Sequence, residues 1–234
     1  MNSNDRLLAD SYRLTEWRVR RRKPRTILIG MRYTRGFTLI ELMTVVAVLG
    51  VAIGVGVPAL NQFILDNRLT SQLNMLSSSL ALARNEAIKQ NVPVVVCVTN
   101  SVSALSTTCN TSGIDWNSGW QVFVDRDGDG VYDAPGAGVD GCADGATADC
   151  IVSAQAGLTG VNTLRGAPDV VQRLAYNGSG AALCNGSACS STNSYFVLCD
   201  QRGATKAKAL AVSRTGRASV ITKKPNGSAL VCTP

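Results

Sequence analysis

The sequence predicts an α/β (α+β) fold in which one long N-terminal helix packs on an antiparallel β-sheet head. Residues 37–60 are apolar apart from Thr38, Glu41 and Thr44. Apolar residues then recur at three- and four-residue steps as far as Ile88, the period of one helix face. After Pro93 the period changes to short apolar runs separated by Gly, Ser, Asn and Asp, the pattern of strands and turns.

The chain has 234 residues and a formal charge of +7. Ten of its 23 basic residues, but only Asp5, Asp10 and Glu16 of its 16 acids, lie in residues 1–36. The remainder holds thirteen of each sign and is formally neutral. Positive charge on one flank of a membrane segment holds that flank in the cytoplasm, so the basic pI reports topology. There is no histidine. Ser-His-Asp and Cys-His pairs and histidine-bearing metal sites are excluded. No other nucleophile–base set is recognisable, and no enzymatic activity is expected.

Residues 37–60 are long enough to cross a bilayer. The run is too long for a secretory signal, and no small-x-small site closes it. A plain anchor leaves Glu41 unexplained, because an ionisable residue in a membrane helix is costly and usually functional. After Pro58 the pattern turns amphipathic, with Leu60, Phe63, Ile64, Leu69, Leu73, Leu76, Leu80, Ala83, Ala87 and Ile88 on its stripe, and residues 61–92 form the amphipathic half of the helix. Pro93 ends it. A continuous helix over residues 37–91 would be about 82 Å long, half in lipid and half against the head. Gly50, Gly54, Gly56 and Pro58 are weak points within it. Gly50 and Gly54 also have a spacing that permits close helix approach.

The head, residues 93–234, has candidate strands at 94–99, 120–125, 170–175, 195–199, 209–213 and 218–222. The sheet they form should wrap the C-terminal half of the helix. All eight cysteines follow the membrane segment: Cys97, Cys109, Cys142, Cys150, Cys184, Cys189, Cys199 and Cys232. An even number on the side opposite the basic flank points to disulfides in an oxidising compartment. Eight cysteines allow 105 pairings. Sequence proximity favours Cys97–Cys109, Cys142–Cys150, Cys184–Cys189 and Cys199–Cys232.

Two head segments carry charge. Residues 115–149 hold eight Asp against one Arg. Within them Asp125, Asp127, Asp129 and Asp133 alternate as calcium ligands do, with Gly128 and Gly130 between. The glutamate that closes such a loop is absent, Gly136 stands in its place, and an acidic turn between strands is the competing reading. Residues 200–234 hold seven basic residues against Asp200. Arg214, Arg217, Lys223 and Lys224 could hold phosphates, or form a solvated or subunit-facing edge.

Arg35-Gly36-Phe37-Thr38-Leu39-Ile40-Glu41-Leu42 resembles the class III signal of type IV prepilins and type II secretion pseudopilins. The resemblance implies that prepilin peptidase cuts between Gly36 and Phe37 and methylates the new Phe37 amine. It implies that Glu41 pairs with the amine of a neighbouring subunit, and that Gly50 and Pro58 loosen the helix as a filament packs. A leader of residues 1–36 is long for this class. Met31-Arg32-Tyr33-Thr34-Arg35-Gly36 would itself serve, so translation is expected to start at Met31. Abundant precursor containing Asp10 or Trp17 would refute that.

Four stretches resemble the FimT/FimU minor pilins and GspH minor pseudopilins. They are residues 82–91, residues 94–97, the Trp116-Asn117-Ser118-Gly119-Trp120 element with residues 121–125, and Val212-Ser213-Arg214-Thr215-Gly216-Arg217. The resemblance implies the pilin fold and a non-enzymatic filament subunit without a cofactor. It would work near the tip of a type IV pilus or a type II secretion pseudopilus and promote assembly. Implied partners are other major and minor pilins or pseudopilins, prepilin peptidase and the inner-membrane assembly platform. The chain would cross the bacterial inner membrane once, with its N-terminus cytoplasmic and its head periplasmic. Some FimT-like pilins bind DNA for uptake through a Gly-Arg-x-Arg element. Gly216-Arg217-Ala218-Ser219 keeps only its first arginine.

Overall fold

The computed structural model describes residues 36–99, 109–110, 115–136, 142–143 and 146–233. The leader, with Met31, lies outside the described residues. The chain divides into two compact units, Met1–Gly50 and Val51–Pro234.

Helix α1 is Leu39–Gln90. In the first unit it begins at Thr38. The Thr38 carbonyl accepts from Leu42 N at 3.2 Å, and its hydroxyl accepts from Glu41 N at 3.2 Å. Thr38 is therefore the N-cap, and Glu41, three residues on, places a carboxylate at the positive end of the helix dipole.

In the second unit α1 ends where Asn91 takes a left-handed φ of 55° and Pro93 follows. Its buried side chains are Leu69, Gln72, Leu73, Leu76, Ser79, Leu80, Ala83 and Ala87. The expected stripe begins too early: Leu60, Phe63 and Ile64 are exposed, as is Ile88. The strands cover the helix only from Leu69 to Ala87.

Ten strands follow: β1 Val94–Val98, β2 Gly119–Val124, β3 Cys150–Ala156, β4 Thr163–Gly166, β5 Arg173–Tyr176, β6 Ala182–Cys184, β7 Ser187–Ala188, β8 Tyr195–Cys199, β9 Lys208–Val212 and β10 Ala218–Ile221. All pairings among them are antiparallel. They form two sheets where one was expected, in the orders β3-β2-β1-β5-β6-β7 and β10-β9-β8-β4. Val96, Val122, Leu174, Phe196, Leu198 and Leu210 pack with Leu73, Leu76 and Leu80 of the helix in the main core. The outer faces are covered too. Val95, Cys97, Phe123 and Tyr132 form one cluster, and Tyr195, Val197, Ala209 and Leu230 belong to another.

The Trp116–Trp120 element joins these layers. Trp116 lies in a single 3-10 turn, Trp116–Ser118, and donates its indole N–H to the Val170 and Val171 carbonyls at 3.0 and 2.9 Å. Its ring meets Phe196 edge-on at 4.8 Å. Trp120 donates to Ser79 Oγ on the helix at 2.9 Å. Gly119 between them has φ 122°, and a side chain there would collide with the Gln155 carbonyl. Four disulfides join Cys97–Cys109, Cys142–Cys150, Cys184–Cys189 and Cys199–Cys232.

Candidate functional site

The N-terminal end presents Phe37 at 80% exposure, followed by a helix surface on which every residue from 37 to 60 is exposed. This helix is long and apolar enough to cross a membrane. Glu41 is its one acid before Asp66, and no ion pair among the described residues includes it. A methyl group added at Gly50, Gly54 or Gly56 would meet no atom within 4 Å. Pro58 lies inside the helix. All four positions are exposed.

The acidic segment folds into a tight loop after β2. The buried Asp125 carboxylate accepts from Gly128 N and Gly130 N, both at 2.9 Å. Both of these glycines have a left-handed φ. The buried Asp149 carboxylate accepts from Arg126 N and Asp133 N at 2.9 Å. Asp127 and Asp129 cap the backbone N–H groups two residues on. Arg173 donates to the Gly130 carbonyl at 2.6 Å and fastens the loop to β5. Burial pushes the Asp125 carboxyl up to about 6; the Gly128 and Gly130 bonds oppose this, and Asp149 adds to it. Burial also raises the Asp149 carboxyl. Carboxylates of Asp125, Asp127 and Asp149 converge within 4.8 Å, as do those of Asp127, Asp129 and Asp133. Backbone N–H groups satisfy this turn, and its carboxylates also lie close enough together to hold a cation.

The basic C-terminal residues flank β10. Arg214 and Arg217 are exposed in the β9–β10 turn, and Lys223 and Lys224 follow the strand. No ion pair among the described residues includes any of the four. Gly216, the glycine of the Gly-Arg pair, is buried with φ 80°. A side chain there would collide with the Gly180 carbonyl and crowd Arg84 and Tyr176. Packing explains this glycine.

Two arginines matter more to the architecture than their sequence suggested. Arg84 donates to the Gly180 carbonyl at 3.0 Å. Arg202 bonds Asp200 at 2.6 Å and reaches Asp66 and Gln62 on the helix at 2.8 and 2.9 Å. Burial would raise the Asp200 carboxyl, but the Arg202 bonds outweigh it and hold Asp200 below the usual range. Arg84 lies in a stretch that the sequence marked as family-like. The sequence marked Arg202 only as one of the seven basic residues of 200–234, and the structure pairs it with Asp200 and Asp66.

Residues 72–216 match the family model described as type II transport protein GspH. Residues 31–57 match the prokaryotic N-terminal methylation motif. No curated protein matches the chain. Two crystal structures of the type IV minor pilin FimU from Pseudomonas aeruginosa PAO1 are similar at 20% identity. One covers 73% of this chain and 98% of its own, with a TM-score of 0.45; the other covers 70% and 99%, with 0.43.

Proposed function

We propose a filament-building role for this chain, which belongs to the GspH family of type II transport proteins. Its methylation motif supports a type IV pilin-like subunit. In this reading prepilin peptidase cuts between Gly36 and Phe37 and methylates the Phe37 amine. Residues 37–60 hold the subunit in the bacterial inner membrane, with the head periplasmic. Glu41 then receives the amine of a neighbouring subunit, and Gly50 and Pro58 let the helix loosen as the filament packs. The subunit enters a type IV pilus or a type II secretion pseudopilus near its tip and promotes assembly.

One observation carries this reading: an apolar helical segment, residues 37–60, exposed throughout, whose first turn holds one acid, Glu41, with no ion-pair partner among the described residues. In lipid such a carboxylate demands a partner. The test is the mass of the N-terminal peptide from protein purified out of producing cells. N-methylated Phe37 is expected. An unmodified Phe37, or a start upstream of it, would overturn the reading.

DNA capture by the head is a second reading. It rests on Arg214, Arg217, Lys223 and Lys224, which have no acidic partner among the described residues. Salt-dependent retardation of duplex DNA, lost in the Arg214→Ala/Arg217→Ala variant, would support it. No binding at low salt would reject it.

A further inference from the structure

Among the described residues the two sheets leave four strands with a free edge: β3, β7, β10 and β4. An open edge is a template for pairing, and proteins ordinarily blunt it. Three are blunted here. β7 is two residues long. β3 pairs through a register irregularity at Val122/Phe123. β4 carries the Asp115–Arg165 bridge and its 3.2 Å ion pair. β10 has unbroken register, no proline and no charge within Ala218–Ile221; the chain's own tail pairs on this side only beyond the strand, where Lys223 bridges Ala229 and Lys224 N donates to the Ser228 carbonyl at 2.9 Å.

The ladder fixes which backbone groups are free. Ser213 N donates to the Arg217 carbonyl at 2.9 Å, so that pair is hydrogen-bonded. Val212 N donates instead to Ser194, away from β10. Antiparallel pairs alternate, so Ala218↔Val212 and Val220↔Leu210 are the non-bonded pairs. The N–H and C=O groups of Ala218 and Val220 therefore face the open edge. Val220 shares the helix-facing side of Leu210, yet it is 55% exposed. Ser219 is exposed as well.

Cations stand at both ends of this edge, Arg214 and Arg217 before it and Lys223 and Lys224 after it. They oppose pairing with a second copy. An antiparallel β10–β10 contact would bring the Arg217 end against the Lys223 end, and a parallel one would set each end on its like. The same charges attract an acidic strand.

We propose that β10 is a docking edge that takes an extended acidic segment of a different protein by strand addition, with an apolar side chain of that segment covering Val220. The proposal does not depend on the filament reading. The test uses detergent-solubilised full-length chain and a short fluorescent peptide, alternating valine and threonine between paired glutamates at each end. A lysine-ended version and a short DNA duplex are measured beside it. The acidic peptide should bind, and the lysine-ended one should bind at least about tenfold more weakly.

Val220→Pro should weaken acidic-peptide binding by about tenfold or more, because proline removes an N–H on the open edge and spares the β9 ladder. Its melting temperature reports whether it folds. Arg217→Glu with Lys223→Glu tests the same contact outside the strand and should reverse the peptide preference. Failure of the acidic peptide to bind would overturn the proposal. So would binding indifferent to both variants, or binding of the duplex alone.

Discussion

The Nε of Arg84 donates to the carbonyl oxygen of Gly180 at 3.0 Å, tying the last turns of α1 to the β5–β6 turn. Gly216 lies against the same carbonyl, and Arg214 O accepts from Ala182 N at 3.1 Å. The helix and both sheets therefore meet at one small set of backbone groups.

Gly216→Ala should destabilise the protein by about 2–4 kcal/mol, through the left-handed backbone and the collision with Gly180 together. Denaturant unfolding of the solubilised chain measures it. A loss under about 0.5 kcal/mol, the range of an ordinary surface change, would show that this junction is soft.

Tyr176 belongs to the same junction, and its hydroxyl is buried with no hydrogen-bond partner among the described residues. Burial also raises its phenol pKa. Tyr176→Phe removes the unsatisfied group and keeps the ring, so it should stabilise by about 1 kcal/mol. A higher melting temperature is expected, and a lower one would mean that the hydroxyl has a partner.

This junction also shows what could be read in the sequence. The helix, its end at Pro93 and the strands β1, β2, β8, β9 and β10 were legible, because most of these strands are covered on both faces. Val94-Val95-Val96-Cys97-Val98 and Tyr195-Phe196-Val197-Leu198-Cys199 are buried throughout and read as continuous apolar runs. β5 was displaced: residues 170–175 include a 3-10 turn, Pro168–Val170, before the strand at Arg173. β3, β4, β6 and β7 were missed because they are short or partly exposed, with small and polar residues. Arg84 and Arg202 have partners 96 and 136 residues away, a distance at which local spacing carries no signal.

The Cys199–Cys232 disulfide closes the longest loop, at a separation of 33, and holds the C-terminal tail near Leu230 against β8. Replacing both cysteines with serine should cost about 3–4 kcal/mol on the chain-entropy estimate. The shorter Cys184–Cys189 loop, at a separation of 5, should cost less. Paired unfolding curves test the ordering, and equal losses would contradict the loop-length argument.

The acidic loop gives stability a pH dependence of definite sign. The Asp125 carboxyl is raised from 3.8 to about 6, so the folded state holds its proton more tightly than the unfolded chain does. That contribution is complete below pH 3.8 and is lost as pH rises through about 6. Asp149 acts in the same direction. Asp200 acts oppositely, and its contribution is lost as pH falls through its depressed pKa. Stability should therefore decline between about pH 4 and 6.5, and Asp125→Asn should flatten that decline. A rise across this window in the unmodified protein would contradict the assignment.

Glu41 distinguishes two roles for one residue. Beside the Thr38 cap it is a helix-end acid, and there its removal costs about 0.3–1 kcal/mol of local helix stability. As the acceptor of a neighbour's amine it would be essential to assembly. Glu41→Val keeps the segment apolar, so insertion and cleavage after Gly36 should persist while incorporation into filaments is lost. Glu41→Asp keeps the charge and the helix-end role but shortens the reach, and should assemble partially. Sheared filament fractions compared with membrane fractions read this directly. Normal incorporation of Glu41→Val would leave the helix-end role standing and remove the pairing.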